Sequence, residues 1–275
     1  MIGTTLARKY QALQQQLKQL GSLAVAFSGG VDSTLLLKVA YDVLGDKAAG
    51  LTVSSVFVPD ADLIEAQAFC LAHGIEQIVV TADILSVDGV ADNPPDRCYL
   101  CKRALFTELK AQAAVRGFSH VADGGNLDDL DDYRPGRRAI EELGVLSPLA
   151  KAGFTKQDIR DLSRELGLST WDKPSAACLA SRIPYGTAIT PEVLARVDKS
   201  EAFLRSLGFV QCRVRVHGPV ARIEVPPEQI AQLAAPRIAN LIDRELRALG
   251  FSYVAVDLSG YRTGSLNEQL GITHR

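Results

Sequence analysis

Ser28-Gly29-Gly30-Val31-Asp32-Ser33 stands between residues 22–27, an apolar run of strand length (Ser-Leu-Ala-Val-Ala-Phe), and residues 34–41, which read as helix. The order is strand, glycine-rich turn, helix start. Two adjacent glycines remove Cβ atoms, so the backbone can turn sharply and lie close to a ligand. The first amides of a helix have no partner inside it and carry the positive end of its dipole, which makes an anion site suited to phosphate. Ser28 and Ser33 add hydroxyls. Asp32 would repel a bare phosphate, so its expected role is to hold Mg²⁺ or to orient the site.

A Walker A loop is absent, since no Gly-Lys-Ser/Thr follows at the required spacing. The Gly-x-Gly-x-x-Gly dinucleotide fingerprint is missing too. Ser28–Ser33 instead resembles the PP-loop of the ATP pyrophosphatases. That resemblance implies a loop that clasps the β,γ-pyrophosphate of ATP while a substrate attacks the α-phosphorus. The competing reading is a left-handed turn before a helix capped by Ser or Asp. A plain cap needs neither two glycines nor four small polar positions.

The chain has 275 residues, 47% of them hydrophobic and 23% charged, with a net charge of −2. That length suits two domains, expected here as 1–186 and 187–275. The charge balance speaks against a general nucleic-acid or membrane partner. No secretory leader or membrane-length apolar run is evident, and five cysteines are odd in number and sparse. A cytoplasmic protein with reduced thiols is the expectation.

Leu6, Leu13, Leu17 and Leu20 predict an amphipathic lead helix over 5–20. Strands at 48–53, 77–81 and 119–122 alternate with helices at 60–73, 98–116 and 155–167. Alternation of this kind predicts an α/β fold, a doubly wound parallel sheet of Rossmann-like type. Ligands of such sheets sit beyond the carboxyl ends of the strands. Asp123-Gly124 and Asn126 follow a strand end and are placed to meet the nucleotide. Asp128, Asp129, Asp131 and Asp132 form either a solvated acidic loop or part of a Mg²⁺ site. A helix from Thr190 to about 207, strands at 210–217 and 220–225, a helical stretch at 227–248 and a strand at 253–258 predict a smaller C-terminal α/β domain.

Cys98-x-x-Cys101 opens a helix, and Cys178 lies in a loop of small residues and prolines. Three thiolates without an evident fourth ligand suit a [4Fe-4S] cluster with one open iron. Structural zinc would want a fourth ligand, which none of the four histidines supplies by spacing. A Cys98–Cys101 redox disulfide is the remaining alternative. Cys70 and Cys212 read as core residues. Arg213 and Arg215 share a strand face, either gripping one anion or forming a solvated face with Glu224 as partner. Arg182, Arg134 and Arg262 are further anion candidates in Gly/Pro-bearing loops.

Six segments together resemble the LarE family, the ATP-dependent sulfur transferases of nickel-pincer-cofactor synthesis. They are residues 28–33, 131–136 (Asp-Asp-Tyr-Arg-Pro-Gly), 181–186 (Ser-Arg-Ile-Pro-Tyr-Gly), 213–217 (Arg-Val-Arg-Val-His), 221–226 (Ala-Arg-Ile-Glu-Val-Pro) and 260–264 (Gly-Tyr-Arg-Thr-Gly). The resemblance implies that ATP adenylylates a carboxylate of pyridinium-3,5-biscarboxylic acid mononucleotide and that sulfur then displaces AMP. It also implies a homo-oligomer acting on a small nucleotide. In the family form that sacrifices a cysteine, the donor position aligns with Ala177, one residue before Cys178. Cys98 and Cys101 resemble a cluster-binding subgroup, which implies a [4Fe-4S] cluster on Cys98, Cys101 and Cys178 with a transferable sulfide. The rival classes are a tRNA thiolase, a PP-loop amide synthetase, and a non-catalytic nucleotide or iron–sulfur sensor.

Overall fold

The structure is a computed structural model that describes residues 3–130, 135–174, 177–262 and 264–271. Asp131, Asp132 and Arg134 of the central loop lie outside the described residues. The chain divides into two compact units, Met1–Val87 with Asp96–Ala176, and Asp88–Pro95 with Ala177–Arg275.

The first unit runs α1 (Thr4–Leu20), β1 (Leu23–Ala26), α2 (Val31–Leu44), β2 (Ala48–Ser54), α3 (Asp60–His73), β3 (Glu76–Thr81), α4 (Arg97–Val115), β4 (Val121–Ala122), α5 (Pro135–Glu142), α6 (Pro148–Lys151) and α7 (Lys156–Glu165). Its strands lie in the order β3-β2-β1-β4, and every neighbouring pair is parallel. Alternation along β1 explains the layers. Leu23 and Val25 point into a core built with α1, α2, α3 and α7, and Ala24 points into a second core with α4 and α5. β1 and β2 are therefore covered on both faces, which is why they read as apolar runs, whereas the edge strand β3 alternates between buried and exposed positions. Leu13 and Leu17 of α1 are fully buried, each stabilising the unit by about 2 kcal/mol.

The strand order fixes where a ligand belongs. The chain moves outward from β1 to β2 and β3, then returns to place β4 on the other side of β1. The loops after β1 and β4 leave their strands side by side in opposite directions, and that divergence opens a crevice. This is the doubly wound arrangement expected from the sequence.

The second unit holds α8 (Pro191–Ser206), β5 (Arg213–His217), β6 (Val220–Glu224), α9 (Ile230–Leu233), α10 (Pro236–Ala248) and β7 (Tyr253–Val256). β5 and β6 are antiparallel, and β6 and β7 are parallel. The helical stretch over 227–248 is broken in two, with Pro236 opening the second helix. The first C-terminal strand begins at Arg213 and not at 210, and Val210 is exposed.

The units and the expected boundary at 186 differ in residues 88–95 and 177–186. Arg182 bonds to Glu201 on α8. Asn93, left-handed at φ 56°, donates through Nδ2 to Ile183 O and Pro184 O at 3.2 and 2.8 Å.

Candidate active site

β1 ends at Ala26, and the chain turns through Ser28-Gly29-Gly30 into α2. Gly29 has φ +69°, a left-handed conformation that disfavours any side chain, and a Cβ there would meet Ala66 at an ordinary contact distance of 3.4 Å, so the backbone conformation and not lack of space selects glycine. Gly30 is the N-cap of α2 and brings no capping side chain. The capped-turn alternative is thus replaced by an uncapped helix start. Ser33 Oγ braces the turn instead: it accepts from Ser28 N at 3.3 Å and donates to Gly30 O at 3.2 Å. Ser28 Oγ lies 3.3 Å from Ser33 Oγ.

The loop after β4 closes against this helix start. A Cβ on Gly124 would stand 2.9 Å from Ser33 N and 3.2 Å from Asp32 Cβ, closer than packing allows. Only glycine lets the two loops meet. Asp123 Oδ1 accepts from Gly125 N and Ser147 Oγ at 3.1 and 2.7 Å, fixing that loop. Asn126 is buried and turns inward: its Oδ1 accepts from Asp128 N and its N donates to Asp129 Oδ2, both at 3.0 Å. It shapes the loop and is not among the residues that line the cavity described next.

A cavity of about 420 Å³ occupies the crevice. Ser28, Gly30, Asp32, Ser33, Asp123, Gly124 and Lys156 form its polar wall. Leu51, Val53, Phe106 and Leu109 form an apolar one. The combination suits a ligand with one anionic end and one flat apolar end.

Asp32 is the electrostatic centre. Lys156, the first residue of α7, reaches its Oδ2 at 2.5 Å, and its Oδ1 is buried without a hydrogen-bond partner among the described residues. Burial pushes the Asp32 carboxyl above the ordinary range despite the opposing Lys156 ammonium. Asp32 lines the cavity, and a desolvated carboxylate oxygen without a partner has the chemistry of a Mg²⁺ or ligand contact. Lys156 is held in place by the capping box of α7, in which Thr155 and Asp158 bond reciprocally, and its own amide donates to Asp128 Oδ2 at 2.8 Å.

Cys98 and Cys101 lie one turn apart at the start of α4, both half-buried. Arg97, almost fully buried, brings Nη2 to 3.7 Å from Cys98 Sγ. Cys178 is exposed and belongs to the other unit, at the start of a 3₁₀ turn, Leu179–Arg182. Within either unit, among the described residues, no group of three His, Cys, Asp or Glu side chains is gathered for a metal ion. As a donor set, three thiols fit a thiolate-bound cluster. Cys70 and Cys212 are buried, as expected, with thiols pushed up to about 11 and about 12 by burial.

The four candidate arginines of the second unit are engaged internally. Arg182 grips Glu201 with two bonds of 2.8 Å and donates to Ala177 O and Cys178 O at 2.6 and 3.0 Å. Arg215 grips Glu224 at 3.0 and 2.9 Å and donates to Ser181 O and Ser265 Oγ. Arg213 donates to Cys212 O and stacks 5.2 Å from the Tyr261 ring. Arg262 pairs with Glu268 and Asp257. Glu224 is the partner named as the alternative to anion binding, but the face is buried and not solvated. Sequence reasoning passed over Lys156, Glu201 and Arg97. A cation in a helix's first turn and a glutamate in a helix centre carry no local signal of a partner.

No family model matches the chain. It is 44% identical over 265 residues to an uncharacterized protein of Synechocystis sp., covering 96% of this chain and 99% of the relative. It is 41% identical over 267 residues to the pyridinium-3,5-bisthiocarboxylic acid mononucleotide synthase of Lactiplantibacillus plantarum, covering 97% of this chain and 96% of that enzyme. Over an alignment of 159 residues, covering 54% of this chain and 38% of the relative, it is 31% identical to the argininosuccinate synthase of Haloarcula marismortui. The partial match fits the PP-loop sheet, and the full-length one carries the rest: the chain belongs to the LarE family, that of the pyridinium-3,5-bisthiocarboxylic acid mononucleotide synthases.

Proposed function

We propose that the protein is an ATP-dependent sulfur transferase that converts a carboxylate of pyridinium-3,5-biscarboxylic acid mononucleotide to a thiocarboxylate. The observation that carries this reading is the uncapped start of α2 facing a cavity beside the unpartnered oxygen of Asp32. The relative from Lactiplantibacillus plantarum is named for the bisthiocarboxylic acid product of such a reaction.

The free amides of Val31, Asp32 and Ser33 would take the pyrophosphate of ATP, with Ser28 and Ser33 hydroxyls beside them. The apolar wall around Leu51 and Phe106 would take the adenine. Lys156 would neutralise phosphate charge once a bound ligand competes for its present partner. Asp32 would hold Mg²⁺, which supplies charge stabilisation to the departing pyrophosphate. Preorganised amides and cations of this kind stabilise charge at the moment it develops. The activated carboxylate then carries AMP as its leaving group, and sulfur replaces it.

Cys98, Cys101 and Cys178 would hold a [4Fe-4S] cluster, whose open iron supplies a replaceable sulfide. Arg182 orders the backbone of 177–178 from within. Arg213, Arg215, Arg182 and Arg262 remain the proposed anion-binding set for the substrate, their internal carboxylates setting the geometry. A net charge of −2 favours a small nucleotide over RNA as substrate. A homo-oligomeric, cytoplasmic enzyme completes the reading. Among the described residues, no helix is long and apolar enough to cross a membrane.

The test is turnover of the anaerobically reconstituted protein with ATP and the biscarboxylate nucleotide. Mass spectrometry should show exchange of one oxygen for sulfur. Formation of an amide with ammonia in place of that product would support the amide-synthetase class.

A further inference from the structure

A single ammonium joins the PP-loop to the stretch of chain that leads to Cys178. Lys173 Nζ donates to Gly29 O at 3.2 Å, Asp62 Oδ1 at 3.2 Å and Glu65 Oε2 at 2.7 Å. Those three bonds use all three of its N–H donors. A loop that turns its amides toward an anion must turn carbonyls away from it, and each needs a donor elsewhere. Gly29, in its left-handed conformation, presents such a carbonyl, and Lys173 serves it. Burial alone would lower this ammonium's pKa, but Glu65 and Asp62 outweigh burial and raise it.

The same stretch is held from a second side. Arg160 donates from Nη1 to Trp171 O at 2.9 Å and from Nη2 to Lys173 O at 3.0 Å. Arg160 stands one turn along α7 from Lys156, whose ammonium holds Asp32. Residues 171–173 are thus tied to both ends of the PP-loop, to Gly29 directly and to Asp32 through α7. Asp62, one of the lysine's partners, also lines the cavity.

We propose that Lys173 is a positioning residue that couples occupation of the PP-loop to the segment bearing Cys178. Polyphosphate drawn onto the loop's amides reorients the Gly29 peptide, and the lysine strap carries that change along the chain to the thiol. Sulfur delivery is thereby tied to the presence of nucleotide. This inference rests on the cavity being an ATP site, and the experiment separates the two.

The measurement is hydrogen–deuterium exchange of the full-length chain, with and without Mg²⁺ and α,β-methylene ATP, followed in peptides covering 177–186. Nucleotide binding is measured in parallel by calorimetry. In the native protein, bound nucleotide should change exchange there by about fivefold or more, the lower end of ordinary coupling between sites. Lys173→Met should still bind nucleotide while losing that response, and Lys173→Arg should regain part of it. If Lys173→Met does not fold, Glu65→Gln, which weakens the lysine's anchorage, should reduce the response. Nucleotide bound by the native protein without a change at 177–186, or an unaltered response in a folded Lys173→Met or Glu65→Gln, would overturn the coupling. Failure of the native protein to bind nucleotide at all would overturn the ATP-site reading and the coupling with it.

Discussion

Lys156 Nζ meets Asp32 Oδ2 at 2.5 Å across 124 residues of sequence, while Asp32 Oδ1 is buried with no partner among the described residues. The two oxygens of one carboxylate thus have different tasks. One is neutralised by the protein, and the other is the proposed Mg²⁺ contact.

Asp32→Ala should abolish pyrophosphate release, by about a hundredfold or more if Asp32 places charge-stabilising Mg²⁺, and leave the absorption spectrum of the proposed cluster unchanged. Loss of both together would assign Asp32 a folding role. Stability should move the other way. A carboxyl raised by burial holds its proton to higher pH in the folded state, so its ionised form weakens the fold above that point. The penalty is relieved as pH falls through the raised value. Asp32→Asn should therefore raise the melting temperature at neutral pH and lose that advantage in acid.

Gly124→Ala tests the contact between the two loops. Its Cβ would meet the Ser33 amide at 2.9 Å, a backbone group that cannot swing aside. Overpacking of this kind costs about 1–3 kcal/mol. Calorimetric titration should show ATP affinity down by about tenfold or more, the equivalent of some 1.4 kcal/mol. Unchanged affinity would remove the loop after β4 from the nucleotide site.

Alkylation should sort the cysteines by environment. Cys70 and Cys212, with thiols near 11 and 12, stay protonated at pH 8, whereas Cys178 is exposed. Iodoacetamide followed by peptide mapping should label Cys178 in the folded, cluster-free protein and reach Cys70 and Cys212 only after denaturation. Native labelling of Cys212 would show that the core around β5 opens readily.

Arg182→Met should destabilise the second unit by about 3–5 kcal/mol, because Glu201 would be left charged in the core. Burial alone would raise Glu201's carboxyl, but Arg182, Arg213 and the Val214 amide outweigh it and hold the value lowered. A lowered carboxyl lends stability above its ordinary value of 4.5, and that stability is lost as pH falls through the folded value. Arg182→Met with Glu201→Leu should flatten this acid limb of a melting-temperature profile. An acid limb unchanged by the double substitution would place the sensitivity elsewhere.

The PP-loop and the parallel sheet were legible because local rules carry them. A strand, two glycines and a helix start are read from adjacent residues, and burial on both sheet faces leaves apolar runs. Lys156, Lys173 and the Arg182–Glu201 pair were not legible. Each depends on a partner far away in sequence, and each looks locally like a solvated charge. Arg213 and Arg215 show the limit from the other direction: their alternation with valines reads as a polar face, yet every residue from Arg213 to Val216 is buried and only His217 at the strand end is exposed. Nothing local assigns residues 88–95 to the second unit; the left-handed Asn93 with its bonds to 183 and 184, and the amides of Gly186 and Ile189 bonded to Asn93 O and Ala91 O, join them to it.

The fate of the ATP phosphates tests the central claim most directly. With the biscarboxylate nucleotide present, ³¹P NMR of the reaction should show AMP and pyrophosphate formed together, and neither without that substrate. ADP and inorganic phosphate as the products would contradict an adenylylating PP-loop at Ser28–Ser33.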